Sequence, residues 1–208
     1  MRTENIQEAG PEWSCLRNKK MKKRITFNSP VILSFVFISL GVMIANYLTL
    51  GASNSFLFMT YRSSLLSPLT YIRMFTHVLG HQGWTHYIGN MMYILLLGPM
   101  LEEKYGSDKV LEVILTTALV TALLNFFLFP GVALCGASGV VFAFILLTSF
   151  TSFNEGEIPL TVILVAVIFI GQQVYEGLFL QDSVSNLSHI AGGIIGAVIG
   201  YQLNKRTK

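Results

Sequence analysis

The chain has 208 residues, of which 52% are hydrophobic and 12% are charged, and its formal net charge is +3. Soluble domains usually contain about 25% charged residues, so this chain has too few to cover a surface that faces water on every side. The composition therefore excludes an ordinary soluble globular protein and indicates that lipid faces much of the molecule.

Residues 1–29 form a basic segment ahead of the first apolar run, and we expect a solvated tail there. This segment holds seven of the 14 lysines and arginines. A basic cluster next to a membrane span is more often an anchor to lipid headgroups than a nucleic-acid site, so no nucleic acid is expected as a partner. The first apolar run is too long for a cleavable signal peptide, and Met21 offers a second start site.

Long stretches without Asp, Glu, Lys or Arg predict six transmembrane helices, because a span needs about 20 mostly apolar residues. The longest stretch is interrupted by Pro130-Gly131 and so divides into two spans. Apolar and polar residues do not alternate as they would in a membrane β-barrel. The prediction is an all-α membrane protein with a core at 30–203 and a short tail at 204–208. The predicted spans lie at about 30–50, 85–101, 110–129, 137–153, 158–176 and 187–203.

The lysines and arginines predict the orientation of these spans, because such residues concentrate on the cytoplasmic side of a membrane. With both termini in the cytoplasm, 12 of the 14 fall on that side, and only Arg62 and Arg73 fall on the other. We therefore expect a multi-pass protein of the cell (inner or plasma) membrane with both ends inside. The segment 51–84 is long and rich in aromatic residues, so we expect it to lie along the membrane interface.

Three spans enter from the outer face, and each carries polar residues near its outer, N-terminal end. These residues are His86 and Asn90 in the second span, Ser138 in the fourth and His189 in the sixth. An ionisable or polar residue inside a membrane is a candidate functional residue by default. The topology places these four at a similar depth although they are far apart in sequence.

Ser138 lies in Gly136-Ala137-Ser138-Gly139 at the start of the fourth span. A serine in a membrane helix usually packs against a neighbour or bonds its own backbone. The flanking glycines favour another role, because they allow a second chain to approach closely. The unpaired N–H groups of a helix N-terminus can also stabilise an oxyanion. Ser138 is therefore a candidate nucleophile.

His189 heads a stripe of glycines, because Gly193, Gly196 and Gly200 follow it at helical spacing on the same face. A lone histidine near a helix end is more often structural, but a smooth face indicates close contact with a neighbouring helix. The fourth span, which has small residues of its own, is the natural partner. Such contact is what a serine–histidine hydrogen bond requires, so His189 is a candidate base.

His86 and Asn90 share one face of the second span, at positions i and i+4. They are either an interhelical hydrogen-bonding pair or, through Asn90, a donor to a developing oxyanion. His77 and His81 precede them, but no adjacent carboxylate or thiolate completes a zinc-like ligand set. We therefore expect neither a metal nor another cofactor.

Taken together, these motifs resemble those of the rhomboid family of intramembrane serine proteases. The matching elements are His81-x-x-x-x-His86-x-x-x-Asn90, Glu102 followed by Gly106-Ser107, Gly136-Ala137-Ser138-Gly139, and His189-Ile190-Ala191-Gly192-Gly193. The resemblance covers about 30–203 and implies a six-transmembrane-helix rhomboid-like bundle. It implies that Ser138 is the nucleophile and His189 the general base, without a third acid. It also implies an oxyanion hole formed by His86, Asn90 and the Ser138 backbone N–H.

The resemblance further implies a mobile fifth span and a cap loop, at about 177–186, that gate the lateral entry of a substrate helix. The candidate gate residues are Phe142, Gln172, Gln173 and Glu176. Two positions depart from the common family pattern. Ile72 precedes Arg73 where many rhomboids have a tryptophan, and Phe142 stands where a tyrosine often packs on the base.

The expected function is cleavage of the transmembrane segments of single-pass membrane proteins near the outer membrane face, through an acyl-enzyme on Ser138. The expected partners are these substrates and membrane lipid. One alternative is a catalytically silent rhomboid-like protein that binds membrane clients, although inactive relatives typically lose the serine or the histidine. A second is a small transporter, which would favour charged residues or broken helices at mid-membrane.

Overall fold

A computed structural model describes residues 26–151, 160–179 and 183–205. Within these ranges the chain is helical, and it has no β-strand beyond a single antiparallel bridge between Thr60 and Leu134. The prediction of an all-α protein is thereby confirmed. The helices are α1 (Pro30–Leu48), a π-helical turn (Asn54–Phe58), α2 (Pro68–Thr76), α3 (Trp84–Tyr105), α4 (Ser107–Leu128), α5 (Ser138–Ser149), α6 (Leu160–Phe179) and α7 (Ser183–Lys205).

The lengths of these helices bear on the number of membrane spans. By length and composition, α1 and α4 are able to cross a membrane, whereas α5 and the apolar part of α6, Leu160–Phe169, are shorter. The 12 residues of α5 cover about 18 Å, well under the roughly 30 Å of a bilayer's hydrocarbon core. At the predicted second and sixth spans, α3 and α7 carry polar residues near both ends. The count of six spans therefore stays a prediction.

The short helix α5 occupies the middle of the bundle, where it packs against α3, α4, α6 and α7. Its side chains are buried on several faces, and Val140, Phe144 and Leu147 are almost completely buried. A helix that is apolar all round must lie inside a larger assembly of helices. The N-terminus of α5, at Ser138, therefore begins within the bundle rather than at its edge.

Glycines allow the backbones of α5 and α7 to touch. A Cβ atom on Gly192 would overlap the carbonyl oxygen of Gly139, and one on Gly196 would overlap the α5 backbone one turn further on. The expected contact with this helix is therefore present at Gly196, but the expectation is wrong for Gly193. A Cβ atom there would lie 2.7 Å from the ring of Phe169 on α6. The glycines that contact α5 therefore begin at Gly192, three residues after His189, and not at Gly193.

Glu102, near the end of α3, joins the starts of two other helices. Its side chain is buried, and its two carboxylate oxygens accept the backbone N–H groups of Val31 (2.9 Å) and Ile32 (3.1 Å) in the first turn of α1. One of these oxygens also accepts the hydroxyl of Ser107 at the start of α4 (2.7 Å). A carboxylate at a helix N-terminus satisfies unpaired donors and favours the helix dipole.

The same end of α3 also reaches the ends of α5 and α7. Lys104 donates a hydrogen bond to the carbonyl of Thr151, just beyond α5. Asn204 on α7 donates to the hydroxyl of Tyr105 at 3.1 Å. Glu102, Lys104 and Tyr105 therefore link α3 to four other helices at the end of the bundle where α3, α5 and α7 finish.

The segment between α1 and α3 contains α2 and is held by Arg73. This arginine is buried, donates from Nε to the carbonyl of Phe56 (2.8 Å), and lies over the ring of Tyr61 at 4.6 Å. The neighbouring Ile72 is exposed. The arginine thus orders the segment by its own contacts, and the side chain at position 72 faces away from them.

Candidate active site

A cleft of about 430 Å³ lies among the N-terminal halves of α3, α5 and α7. The four polar residues singled out in the sequence, Ser138, His189, His86 and Asn90, all line it. The structure thus brings together residues from three helices that are far apart in the chain. The other lining residues are Thr85, Gly89, Tyr93, Val141, Phe142, Ile145 and Gln172.

The candidate gate residues divide into two groups. Phe142 on α5 and Gln172 on α6 line the cleft. Gln173 and Glu176 also belong to α6, but their side chains lie outside the described residues. The prediction of a loop at 177–186 is wrong at both of its ends, because 177–179 continue α6 and 183–186 already belong to α7, while 180–182 lie outside the described residues.

Ser138 is the first residue of α5 and is half-buried. The helix begins here because the N–H of Val141 donates to the carbonyl of Ala137 at 2.9 Å, which closes the first turn. The N–H groups of a first helical turn have no acceptor inside their own helix. Ser138 lines the cleft, so the N-terminus of α5 lies at the cleft wall.

The ring of Phe142 packs against one side of the ring of His189. The two ring centroids are 4.4 Å apart at an interplanar angle of 42°. The opposite neighbour of Phe142 is Phe169 of α6, also at 4.4 Å. Since Phe142 follows Ser138 by one helical turn, one face of α5 presents both the serine and the surface on which the histidine rests.

The ring of His86 lies directly against the backbone that leads into α5. A Cβ atom on Gly136 would be 2.6 Å from Cε1 of this ring and 2.8 Å from Nε2. Gly136 also has a φ of +133°, which L side chains rarely adopt. Glycine is thus required at this position both by the backbone conformation and by the approach of the histidine.

Asn90 contributes an available donor to the cleft. Its side chain is 7% exposed, and its Nδ2 has no hydrogen-bond partner among the described residues. An unpaired buried donor costs about 1–3 kcal/mol, so such groups are uncommon unless a ligand or water uses them. This amide is therefore suited to donate to a bound oxygen atom in the cleft.

His77 and His81 lie outside the cleft lining and have other partners. The Thr121 hydroxyl donates to the Thr117 carbonyl (2.8 Å), so the 3.2 Å contact between His77 Nε2 and that hydroxyl is a donation from the ring. The ring of His81 donates from Nδ1 to the carbonyl of Leu79 (3.2 Å). Burial lowers the pKa of His77 and that of His81 to about 4, so both are neutral at pH 7.

The loop that leads to Ser138 is held by contacts that sequence reasoning missed. The backbones of Leu134 and Thr60 exchange two hydrogen bonds of 2.9 Å. Asn125 on α4 donates from Nδ2 to the carbonyls of Thr60 (3.2 Å) and Val132 (3.1 Å). Its polar side chain in an apolar helix was the available signal, but its partners depend on the tertiary fold.

Comparison with known proteins identifies the family of this chain. The rhomboid domain family matches residues 68–206, which is well over half of the chain. The chain therefore belongs to the rhomboid family, whose members are embedded in membranes.

Several relatives carry rhomboid names. The chain is 31% identical over 138 residues to rhomboid-related protein 1 of Caenorhabditis elegans, covering 62% of this chain and 39% of the relative. It is 32% identical over 158 residues to rhomboid-related protein 2 of Mus musculus, covering 66% and 52%. It is 25% identical over 139 residues to rhomboid protease GlpG of Haemophilus influenzae, covering 65% and 71%. The chain thus spans only about two fifths to one half of the two rhomboid-related proteins.

Proposed function

We propose that this protein is an intramembrane serine endopeptidase that cleaves transmembrane segments of single-pass membrane proteins. The observation that supports this proposal best is the shared cleft, which is lined by Ser138 at the head of α5 and by His189 on α7. Family membership supports the same reading, because a relative bears the name rhomboid protease.

In the proposed reaction the Ser138 hydroxyl oxygen attacks the carbonyl carbon of the scissile peptide bond. His189 takes the hydroxyl proton and then gives it to the leaving amine as the C–N bond breaks. An acyl-enzyme remains on Ser138 until water, deprotonated by His189, attacks its ester carbonyl and releases the acid. The contact between the rings of Phe142 and His189 supports this role, because it packs the imidazole against the helix that begins with Ser138.

The negative charge that develops on the carbonyl oxygen needs donors that are already in place. We assign this task to the backbone N–H of Ser138, the buried amide of Asn90 and the ring of His86. His86 lies against Gly136, and Nδ2 of Asn90 has no hydrogen-bond partner in the described part of the chain. Both residues line the same cleft as Ser138, which supports this assignment.

The membrane arrangement that fits this reaction has six spans, both termini in the cytoplasm and the cleft near the outer face of the cell membrane. The short α5 supports it, because a helix of 12 residues that starts below the outer surface brings Ser138 into the bilayer while water still reaches it. In this arrangement a substrate helix enters laterally past α6. Phe142, Gln172, Gln173 and Glu176 are the proposed gate.

Two alternatives keep the fold and change the activity. A catalytically silent rhomboid-like protein would bind transmembrane clients without cutting them, and it would have no need of the Ser138–His189 pair. A small transporter is disfavoured because the polar cleft lies toward one end of the helices rather than at their middle.

Labelling with a fluorophosphonate probe separates these possibilities without knowledge of the substrate. The wild-type protein should become labelled and should cleave a reporter transmembrane segment in liposomes. Ser138→Ala and His189→Ala should lose both properties. Ser149→Ala is the matched control, because Ser149 lies at the far end of the same helix and bonds the carbonyl of Ile145 (3.0 Å). Full cleavage by Ser138→Ala would refute the catalytic assignment.

A further inference from the structure

The segment that precedes Ser138 is held at every second residue by groups from other parts of the chain. The carbonyl of Val132 accepts from Asn125, the N–H and carbonyl of Leu134 pair with Thr60, and the N–H of Gly136 donates to the carbonyl of His77 (2.9 Å). This alternation is that of a β-strand, in which successive residues face opposite ways. The backbone that enters α5 therefore has a fixed register.

Asn125 is the one side chain in this set of contacts. It is 1% exposed, and both of its donations are made by Nδ2, one to each of the paired segments. The carbonyl of Thr60 receives both this bond and the N–H of Leu134. A change at Asn125 would therefore loosen both sides of the bridge at once, and neither Asn125 nor its two acceptor residues line the cleft.

We infer that Asn125 is a positioning residue that fixes the first-turn amides of α5 for oxyanion binding. This inference rests on the proposed function, in which the N–H of Ser138 stabilises the developing charge. Asn125 acts at a distance, through the segment 132–136, and does not touch the reacting atoms. Binding of substrate is left unchanged, because the cleft walls come from other residues. The effect is therefore expected on kcat rather than on KM.

Three substitutions at this position test the inference. Asn125→Asp and Asn125→Leu keep the approximate size and remove the amide donor, whereas Asn125→Gln keeps the carboxamide on a longer stem. Since displacement of a reacting group by about 1 Å lowers a rate about 100-fold, kcat should fall about 10- to 100-fold in the first two variants. KM should stay within about twofold, and Asn125→Gln should recover part of the lost kcat. Kinetics are measured per folded molecule on a reporter substrate in liposomes.

Asn204→Leu is the matched control. Asn204 also donates from Nδ2 to two acceptors, the Tyr105 hydroxyl (3.1 Å) and the Gly200 carbonyl (2.8 Å), but it lies at the far end of α7. It should lose thermal stability and keep the wild-type kcat. Hydrogen exchange should accelerate at the amides of Leu134 and Gly136 in the Asn125 variants and not in Asn204→Leu.

Several results would overturn the inference. One is a wild-type kcat per folded molecule in Asn125→Leu and Asn125→Asp, and another is an equal loss of kcat in Asn204→Leu. If all three Asn125 variants failed to fold while Asn204→Leu folded, Asn125 would hold the fold instead of positioning α5. The proposed function is tested separately, because only its failure would leave the wild-type protein unlabelled by the fluorophosphonate probe.

Discussion

Substitution of Gly136 by alanine should lower both the stability of the protein and its turnover rate, and the geometry at this residue gives the size of each effect. Its φ of +133° is costly for any residue with a Cβ atom, by about 1–3 kcal/mol. The new Cβ atom would also start 2.6 Å from the His86 ring, so the ring must withdraw by about 0.8 Å to reach an ordinary contact at 3.4 Å. A displacement of this size next to a reacting group lowers a rate by up to about 100-fold. We therefore expect Gly136→Ala to be less stable by about 1–3 kcal/mol and to turn over about 10- to 100-fold more slowly.

The assay combines thermal unfolding in detergent with cleavage of a reporter segment, scaled to the folded fraction. Gly131→Ala is the matched control, because this glycine lies in the same α4–α5 loop and a Cβ atom there would meet nothing within 4 Å. It should match the wild-type protein in both measurements. If Gly136→Ala kept wild-type turnover and stability, the close approach of His86 to the α5 backbone would not matter for activity, and our reasoning would be wrong.

Three further changes should act on stability. Gly192→Ala should lower the unfolding temperature in detergent, because its Cβ atom would overlap the backbone of α5. Glu102→Gln should destabilise by about 1–3 kcal/mol, since it removes charge from an acceptor of three hydrogen bonds, whereas the exposed Glu103→Gln should be neutral. Lowering the pH from about 6.5 to 4 should destabilise the protein, and His77→Gln together with His81→Gln should flatten that dependence.

The sign of the pH effect follows from proton binding. The folded-state pKa of each histidine is about 4 and the ordinary value is 6.5, so the unfolded chain binds more protons between these limits. Stability therefore rises with pH across that window and is fully present above it. An unchanged unfolding temperature between pH 7 and 4.5 would contradict the burial of these two rings. Equal unfolding temperatures for Gly192→Ala and wild type, or for the two glutamate variants, would contradict the other two predictions.

Much of the cleft could be predicted because it depends on two properties that a sequence displays directly. Charge-free runs identify the helices, and the direction of each helix then sets which ends lie together. These two properties predict that Ser138, His189, His86 and Asn90 lie at one depth, and the structure brings them into one cleft. Their chemical roles remain predictions, since position alone does not demonstrate catalysis.

The sequence does not predict the rotation of each helix about its own axis, which decides the neighbour that each side chain meets. Gly192 and Gly193 are adjacent, so helical spacing from His189 does not decide which of them faces α5 and which faces α6. The choice depends on the packing of the ring of Phe169 against Gly193, which is a tertiary contact. The same limit applied to Asn125, whose two acceptors belong to backbone segments that no periodic pattern marks.

The contacts made by Glu102, Lys104 and Tyr105 join five helices at one end of the bundle. Glu102 holds the starts of α1 and α4, while Lys104 and Tyr105 hold the far ends of α5 and α7. The cleft lies at the opposite ends of α3, α5 and α7. Because the backbones of α5 and α7 also touch at Gly139 and Gly192, beside the cleft, these two helices are held together at both of their ends.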